Sequence, residues 1–203
     1  MTIVLIDYGV GNLRSVKKAL EFVGANVIPI DDTRKILGAS KVVLPGVGAF
    51  QDGMNGLNKR NLTEILRRIS SKGIPLLGIC LGMQLLYDIS SELGNAIGLG
   101  MLNGEVCQFP ENELKVPHTG WNQLRISGDS PLLRGVQNNS YVYFNHSYYC
   151  APKDSNTIIA HTDYGIAFPA AVHKDSIYGV QFHPEKSQDI GLQILRNFVE
   201  VCQ

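Results

Sequence analysis

Short apolar runs closed by glycine or proline-glycine alternate with helically spaced segments over the first 90 residues of this 203-residue chain. No other feature restricts the fold as much. The run from Ile3 to Asp7 ends in Tyr8-Gly9 and reads as a strand buried on both faces. From Asn12 to Val23, the residues Leu13, Val16, Ala19, Leu20 and Val23 fall at helical spacing, and Gly24 stops the pattern. Asn26 to Ile30 and Lys41 to Leu44 are the next strand candidates, the second followed by Pro45-Gly46. A helix is expected from about Asn61 to Lys72, ahead of Gly73. Pro75 to Ile79 is a fourth run, and Leu81 to Ile89 reads as a helix directly after it. Strands alternating with helices build βαβ units and a parallel sheet.

The character changes in the middle of the chain. Leu102 to Val180 holds short runs rich in Tyr, Val and Ile, broken by Asn, Gly, Pro and Asp, the pattern of antiparallel strands and loops. Ile190 to Val201 closes the chain as an amphipathic helix. The expectation is one α/β domain over residues 1–203. Its central sheet is mostly parallel and flanked by helices, with additional antiparallel strands in the C-terminal half.

Composition narrows the function classes. Lys plus Arg equals Asp plus Glu at 18 each, so the electrostatic footprint of a nucleic-acid binder is missing. No run approaches the length of a membrane-spanning helix, and Thr2-Ile3-Val4-Leu5-Ile6 follows the first methionine without a basic region. A soluble, cytoplasmic protein is expected, with no membrane partner. Cys80, Cys107, Cys150 and Cys202 are too scattered for zinc or redox spacings, so no metal and no cofactor are expected.

The glycine-rich turns fail as nucleotide motifs. Arg14, Gln51 and Asn103 stand where the third glycine of G-x-G-x-x-G would be needed, and no Gly-Lys dipeptide occurs. One motif survives. Gly78-Ile79-Cys80-Leu81-Gly82, at a strand-to-helix junction, is the cysteine form of the nucleophile elbow G-x-S-x-G. Its flanking glycines permit a sharp turn that exposes the side chain and aims the Leu81 N–H at a bound carbonyl oxygen. A helix N-terminus there favours thiolate over thiol. The alternative is a buried cysteine between packing glycines.

A thiol nucleophile needs a base, and the base an orienting group. Of five histidines, His183 follows the apolar run Ile177 to Phe182 and precedes Pro184-Glu185. Pro184 biases His183 toward extended geometry. Residues two apart in an extended segment share a face, which brings Glu185 to the imidazole. Cys80, His183 and Glu185 then compose a Cys-His-Glu triad; a strand-end histidine bonded to backbone is the plainer reading. Pro45-Gly46-Val47-Gly48-Ala49-Phe50 is a glycine-bounded loop able to offer N–H groups to an oxyanion, or simply a strand-to-helix turn.

These pieces, in this order, resemble the class I (triad) glutamine amidotransferases, and within them the glutaminases of histidine biosynthesis. The similarity is carried by PGVGAF (45–50), GICLGMQLL (78–86), PHTGWN (117–122), YFNHSYY (143–149) and QFHPEKS (181–187). It implies that Cys80 attacks the side-chain amide of L-glutamine, that His183 relays protons and that Glu185 orients it. It implies oxyanion donors at Leu81 and in the Val47-Gly48 region, and glutamine contacts from Gln84, Glu92, Ser147 and Tyr148. The implied partner is a (β/α)₈-barrel cyclase subunit in a heterodimer. The barrel would carry ammonia to a ribotide, giving imidazole glycerol phosphate and an aminoimidazole carboxamide ribotide. Asn12, Tyr141 and Lys186 fall in segments that the resemblance assigns to that interface. Two positions depart from the usual pattern: Thr119 stands where methionine is common, and Asn145 where a small apolar residue is frequent. A sugar amidotransferase partner is an alternative destination for the ammonia. A stand-alone cysteine peptidase and a non-catalytic binding subunit are the readings of a different class.

Overall fold

The computed structural model describes residues 2–30, 36–110 and 114–202. Its first elements are β1 (Thr2–Ile6), α1 (Leu13–Phe22), β2 (Asn26–Ile30), β3 (Lys41–Leu44), α2 (Phe50–Lys59) and α3 (Leu62–Ser71). Next come β4 (Leu76–Ile79), α4 (Leu81–Leu85), β5 (Tyr87–Ser90), β6 (Ala96–Ile97), β7 (Leu102–Gln108), β8 (His118–Gln123) and β9 (Arg125–Ile126). The chain ends with β10 (Tyr141–His146), β11 (Tyr148–Pro152), β12 (Ile158–Asp163), β13 (Ala167–Lys174), β14 (Ile177–Val180) and α5 (Gln188–Glu200).

Eight strands form the central sheet in the order β2-β1-β3-β4-β14-β13-β12-β9. The pairings from β2 to β14 are parallel and those from β14 to β9 antiparallel. The sheet is thus mixed, as the change of sequence character predicts. Alternate strand residues reach opposite faces. On one side Ile3, Leu5, Val43, Leu77 and Ile79 pack with Val16 and Leu20 of α1 and Ile194 and Phe198 of α5. On the other, Val4, Ile6, Val42, Leu44 and Leu76 meet Met54 and Leu57 of α2 and Ile65, Leu66 and Ile69 of α3. Burial on both faces explains the apolar runs Val42–Leu44 of β3 and Leu76–Ile79 of β4. A second sheet, β11-β7-β5-β6, and a two-stranded ribbon, β10-β8, lie outside the main one.

The register positions the site. Leu44 pairs with Gly78, and Val180 with Ile79, so β3, β4 and β14 end level and side by side. The segments leaving those three ends are the Pro45–Phe50 loop, Cys80 and Gln181–Glu185. Ligands of open α/β sheets bind outside the carboxyl ends of parallel strands.

Two elements differ from the sequence reading. The helix expected over Leu81–Ile89 stops at Leu85, and Tyr87–Ser90 is a strand. The Leu85, Leu86 and Tyr87 carbonyls are taken by the amides of Leu99 to Leu102, which draws that backbone into the second sheet. A short apolar run does not by its period distinguish helix from strand. Helix α2 was not foreseen, because Gly53 and Gly56 weaken a helical reading by about 1 kcal/mol each. Both glycines sit at close approaches. A Cβ on Gly53 would lie 3.0 Å from the Leu85 side chain, and one on Gly56 only 2.4 Å from the Tyr8 carbonyl oxygen.

Candidate active site

Cys80 leaves β4 with φ 53° and ψ −110°, outside the conformations that a side chain favours. Such a backbone costs roughly 1–3 kcal/mol and persists only where its surroundings enforce it. They do so here. The Cys80 N–H donates to the Val180 carbonyl at 2.8 Å, and its own carbonyl accepts from Gln84 N at 3.2 Å. The flanking glycines are steric necessities: a Cβ on Gly78 would lie 2.7 Å from the Met83 backbone, and one on Gly82 only 1.8 Å from the Leu44 oxygen. The expected elbow is present. The helix behind it, α4, has only five residues, so its dipole is that of little more than one turn.

The base comes from the end of β14. His183 is extended, as the following proline requires, at φ −99° and ψ 96°. Its N–H donates to the Tyr143 carbonyl at 2.9 Å, and its carbonyl accepts from Ser187 Oγ at 2.7 Å. Glu185 Oε1 lies 2.9 Å from His183 Nδ1, with both side chains almost fully buried. The contact foreseen is made, but by another route. Pro184–Lys186 form one 3-10 turn, and it is that turn that swings the carboxylate under the ring. Cys80 and His183 border the same cavity, and the thiol joins Glu185 in favouring the protonated ring. Burial alone would lower the imidazole's affinity for a proton. The hydrogen bonds and charges of Cys80 and Glu185 outweigh it and lift His183 to about 10. The ring therefore carries its charge at neutral pH.

A cavity of about 320 Å³ opens above Cys80. Val47, Gly48, Leu81, Gln84, Glu92, Ser147, Tyr148 and Lys186 all line it, so every expected oxyanion and glutamine-contact residue borders one space with Cys80 and His183. Gln84 is not free to act in every way. Its amide nitrogen donates to the Tyr148 carbonyl at 3.0 Å and to Gln181 Oε1 at 3.2 Å, leaving its oxygen for a ligand. Glu92 is half committed too, since Oε2 accepts from Phe50 N at 2.6 Å.

Several supporting residues were not legible from the sequence. Fully buried Gln181 aims its amide nitrogen at Cys80 Sγ, 3.8 Å away. Tyr8 donates its hydroxyl to the Pro45 carbonyl at 2.6 Å, beneath Gly46, where a Cβ would meet that hydroxyl at 2.3 Å. Behind the cavity, Asn122 and the buried His118 and His146 make a relay. Asn122 Nδ2 is 3.3 Å from His118 Nε2, His118 Nδ1 is 3.0 Å from His146 Nε2, and His146 Nδ1 is 2.8 Å from the Tyr148 carbonyl. A carbonyl can only accept, so Nδ1 of His146 carries a proton and each ring in turn donates toward Tyr148. Burial lowers His118 to about 4 and His146 to about 3. The quoted segments PHTGWN and YFNHSYY contain these residues; their pairing was the missing signal. Among the described residues, no group of three or more His, Cys, Asp or Glu could hold a metal ion, and no helix is long and apolar enough to cross a membrane.

Comparison with known proteins decides the family. The family Glutamine amidotransferase class-I matches residues 4–202. The imidazole glycerol phosphate synthase subunit HisH of Methanosarcina acetivorans is 50% identical over 202 residues, covering 98% of each chain. The HisH subunit of Geobacter sulfurreducens is 49% identical over 205 residues, with 98% of each chain covered. The structure of PurLQS from Thermotoga maritima shares the fold at 17% identity and a TM-score of 0.77, covering 100% of this chain and 99% of that one. The chain belongs to the class-I glutamine amidotransferase family, in its HisH group.

Within this HisH-type chain Thr119 and Asn145 are neighbours. Thr119 and Asn145 pair across β8 and β10, and Thr119 Oγ1 donates to Asn145 Oδ1 at 3.1 Å. Two residues 26 positions apart in the sequence thus make one polar cross-strand contact. Asn145 also lines the cavity, and its carbonyl lies 4.0 Å from Cys80 Sγ. The three residues expected at a subunit interface are all exposed. Asn12 caps α1, its side chain accepting from Ser15 N at 3.3 Å. Lys186 Nζ lies 5.6 Å from the centre of the Tyr143 ring, which meets Trp121 edge-on at 6.0 Å. Trp121 and Tyr141 together line a shallow cavity with Gln188 and Asp189.

Proposed function

We propose that Cys80, His183 and Glu185 hydrolyse the side-chain amide of glutamine, and that the ammonia passes to a cyclase subunit of imidazole glycerol phosphate synthase. The observation that carries this reading is that His183, hydrogen-bonded to Glu185 at 2.9 Å, shares one small cavity with Cys80 at the elbow. The Cys80 sulfur, beside the charged imidazole, is the nucleophile. The thiolate adds to the amide carbon, and negative charge moves to the carbonyl oxygen. The Leu81 N–H and an N–H of the Val47-Gly48 segment stabilise that oxyanion. His183 then donates its Nε2 proton to the departing nitrogen, which leaves as ammonia while a γ-glutamyl thioester forms. Water attacks the thioester as His183 takes one of its protons. Collapse of this second adduct expels the thiolate, restoring the charged pair, and glutamate leaves. Glu185 holds the ring in one tautomer throughout, with Nδ1 engaged and Nε2 facing sulfur.

Around the reacting amide, Glu92 takes the α-ammonium of glutamine and the Gln84 oxygen accepts a second hydrogen bond. Ser147 and Tyr148 close the far wall. A cavity of about 320 Å³ is at the small end of ligand pockets and fits an amino acid better than a polypeptide. The relatives bear the name of a subunit, which implies a partner. That partner is a (β/α)₈ barrel docking over Lys186, Tyr141 and Asn12 in a heterodimer, with ammonia kept from bulk water where it would be protonated. Four free cysteines fit a cytoplasmic protein.

The test is glutamate release from glutamine by wild type and Cys80→Ala, with and without a histidine-pathway cyclase and its ribotide. Turnover should rise with the partner and fall by at least about 10³-fold in Cys80→Ala. Wild type inactive with that cyclase, but active with a sugar amidotransferase, would reassign the acceptor. Turnover surviving in Cys80→Ala would sink the mechanism.

A further inference from the structure

The segment carrying the proposed oxyanion donors is held at two ends and open between them. Upstream, Gly46 is pressed between the Tyr8 hydroxyl and the elbow, where an added Cβ would lie 2.9 Å from Leu81 Cβ and 3.1 Å from Gly82 N. Downstream, Phe50 begins α2, and its ring is fully buried. Val47, Gly48 and Ala49 span the gap. Val47 is 41% exposed, and Gly48, at φ +98°, has no atom within 4 Å of where a Cβ would be. A segment with so few packing partners takes its position from its two ends.

The downstream end has an unusual anchor. A helix leaves its first N–H groups without intrahelical partners, and a capping side chain would serve the second or third of them, not the first. Ala49, in the capping position, has no side chain able to accept at all. The first N–H, that of Phe50, has its acceptor 42 residues away: Glu92 Oε2 takes it at 2.6 Å. Glu92 is itself held, its N–H donating to Ser90 Oγ at 3.2 Å where β5 ends. The same carboxylate borders the cavity, and its charge, after the effect of burial, helps raise the Tyr148 phenol above its ordinary value. One group therefore faces both the substrate space and the root of the oxyanion segment.

The geometry points to Glu92 as a positioning residue for the oxyanion segment, fixing its downstream end through Phe50 N–H and linking it to occupancy of the glutamine pocket. The inference rests on the glutaminase reading. Its content is that two properties of one side chain do separable jobs. The negative charge holds the glutamine ammonium; the acceptor oxygen holds the loop. An ammonium drawn to the carboxylate redistributes its charge away from Phe50 N–H, so the loop registers whether the pocket is filled.

The two jobs separate by substitution. Glu92→Gln keeps an acceptor oxygen and loses the charge, whereas Glu92→Ala loses both. With the partner-bound enzyme, both variants should raise the KM for glutamine by a similar factor. Glu92→Ala should show a kcat at least about tenfold below that of Glu92→Gln. The same gap should persist with glutaramate, which lacks the α-ammonium. Hydrogen exchange supplies a readout that needs no turnover: the Phe50 amide should exchange at least about tenfold faster in Glu92→Ala than in Glu92→Gln, with the interior amides of α2 alike in both. Equal kcat values in the two variants, or equal Phe50 exchange, would overturn the assignment. Wild type without turnover would defeat the glutaminase reading alone, and the exchange measurement would still decide whether Glu92 anchors the loop.

Discussion

His183 and the His118–His146 pair show how the same side chain takes opposite roles according to its neighbours. His183, lifted to about 10, holds its proton because a thiol and a carboxylate both favour the charged ring. Its contribution to stability is complete below the unfolded value of about 6.5 and is lost as pH rises toward 10. Cys80→Ala removes one of the two partners, so the imidazole midpoint should fall, as read by NMR of the ring nitrogens. An unchanged midpoint would mean that Glu185 alone sets it. His118 and His146, lowered to about 4 and about 3 by burial, behave in the opposite sense. Between those values and 6.5 the unfolded chain binds protons that the folded chain refuses, so stability falls as pH falls. Each ring contributes a slope of about 1.4 kcal/mol per pH unit in that window. His146→Asn should remove about half of the combined slope in urea-unfolding free energies measured from pH 6.5 to 4.5. A slope unaltered by the substitution would show that the pair takes up no protons on unfolding there.

At the scale of elements, what could be read was whatever a local pattern encodes. The early strands, α1, α3 and the elbow follow from runs and glycine stops within a dozen residues. Helix α2 does not, because the glycines that argue against it are there for contacts with distant chain: Gly53 for Leu85 and Gly56 for Tyr8. These two glycines differ in a way that substitution can read. At Gly53 the nearest atoms belong to a leucine side chain that can rotate, and alanine gains helix propensity of up to about 1 kcal/mol. At Gly56 the obstacle is the Tyr8 backbone oxygen, which also accepts from Arg60 at 2.9 Å. Gly56→Ala should therefore cost about 1–3 kcal/mol in urea unfolding, and Gly53→Ala much less. Gly56→Ala should also slow turnover, because Tyr8 supports Pro45 and the oxyanion segment. Equal stability of the two variants would mean that the α2–Tyr8 contact yields easily.

Over the whole molecule, the site is an accident of no single segment: three strand ends made adjacent by sheet order bring residues 45–50, 80 and 181–185 together. Cys80, His183 and Glu185 were legible because each lies in a short motif with its own local geometry. Gln181, 101 residues from the thiol it faces, was not, since strand order cannot be read from any one strand. The same long-range logic ties the parallel half of the sheet to the end of the chain. Lys41, buried in β3, donates to the Phe198 carbonyl at 2.6 Å and to the Cys202 carbonyl, at the C-terminus of α5. Those are carbonyls that a helix end leaves without partners, and a cation there also complements the helix dipole. Burial lowers the lysine's proton affinity, and the two carbonyls take the place of solvent around its ammonium. Lys41→Met keeps the stem and removes the donors, leaving two carbonyls unmet at the base of the sheet. Hydrogen bonds to a charged group contribute about 1.5–3 kcal/mol, so the variant should unfold about 3–12 °C below wild type by calorimetry. The last turn of α5 should exchange its amides faster while the elbow is unchanged. A melting temperature equal to wild type would show that α5 closes the sheet by apolar packing alone, through Ile194, Leu195 and Phe198.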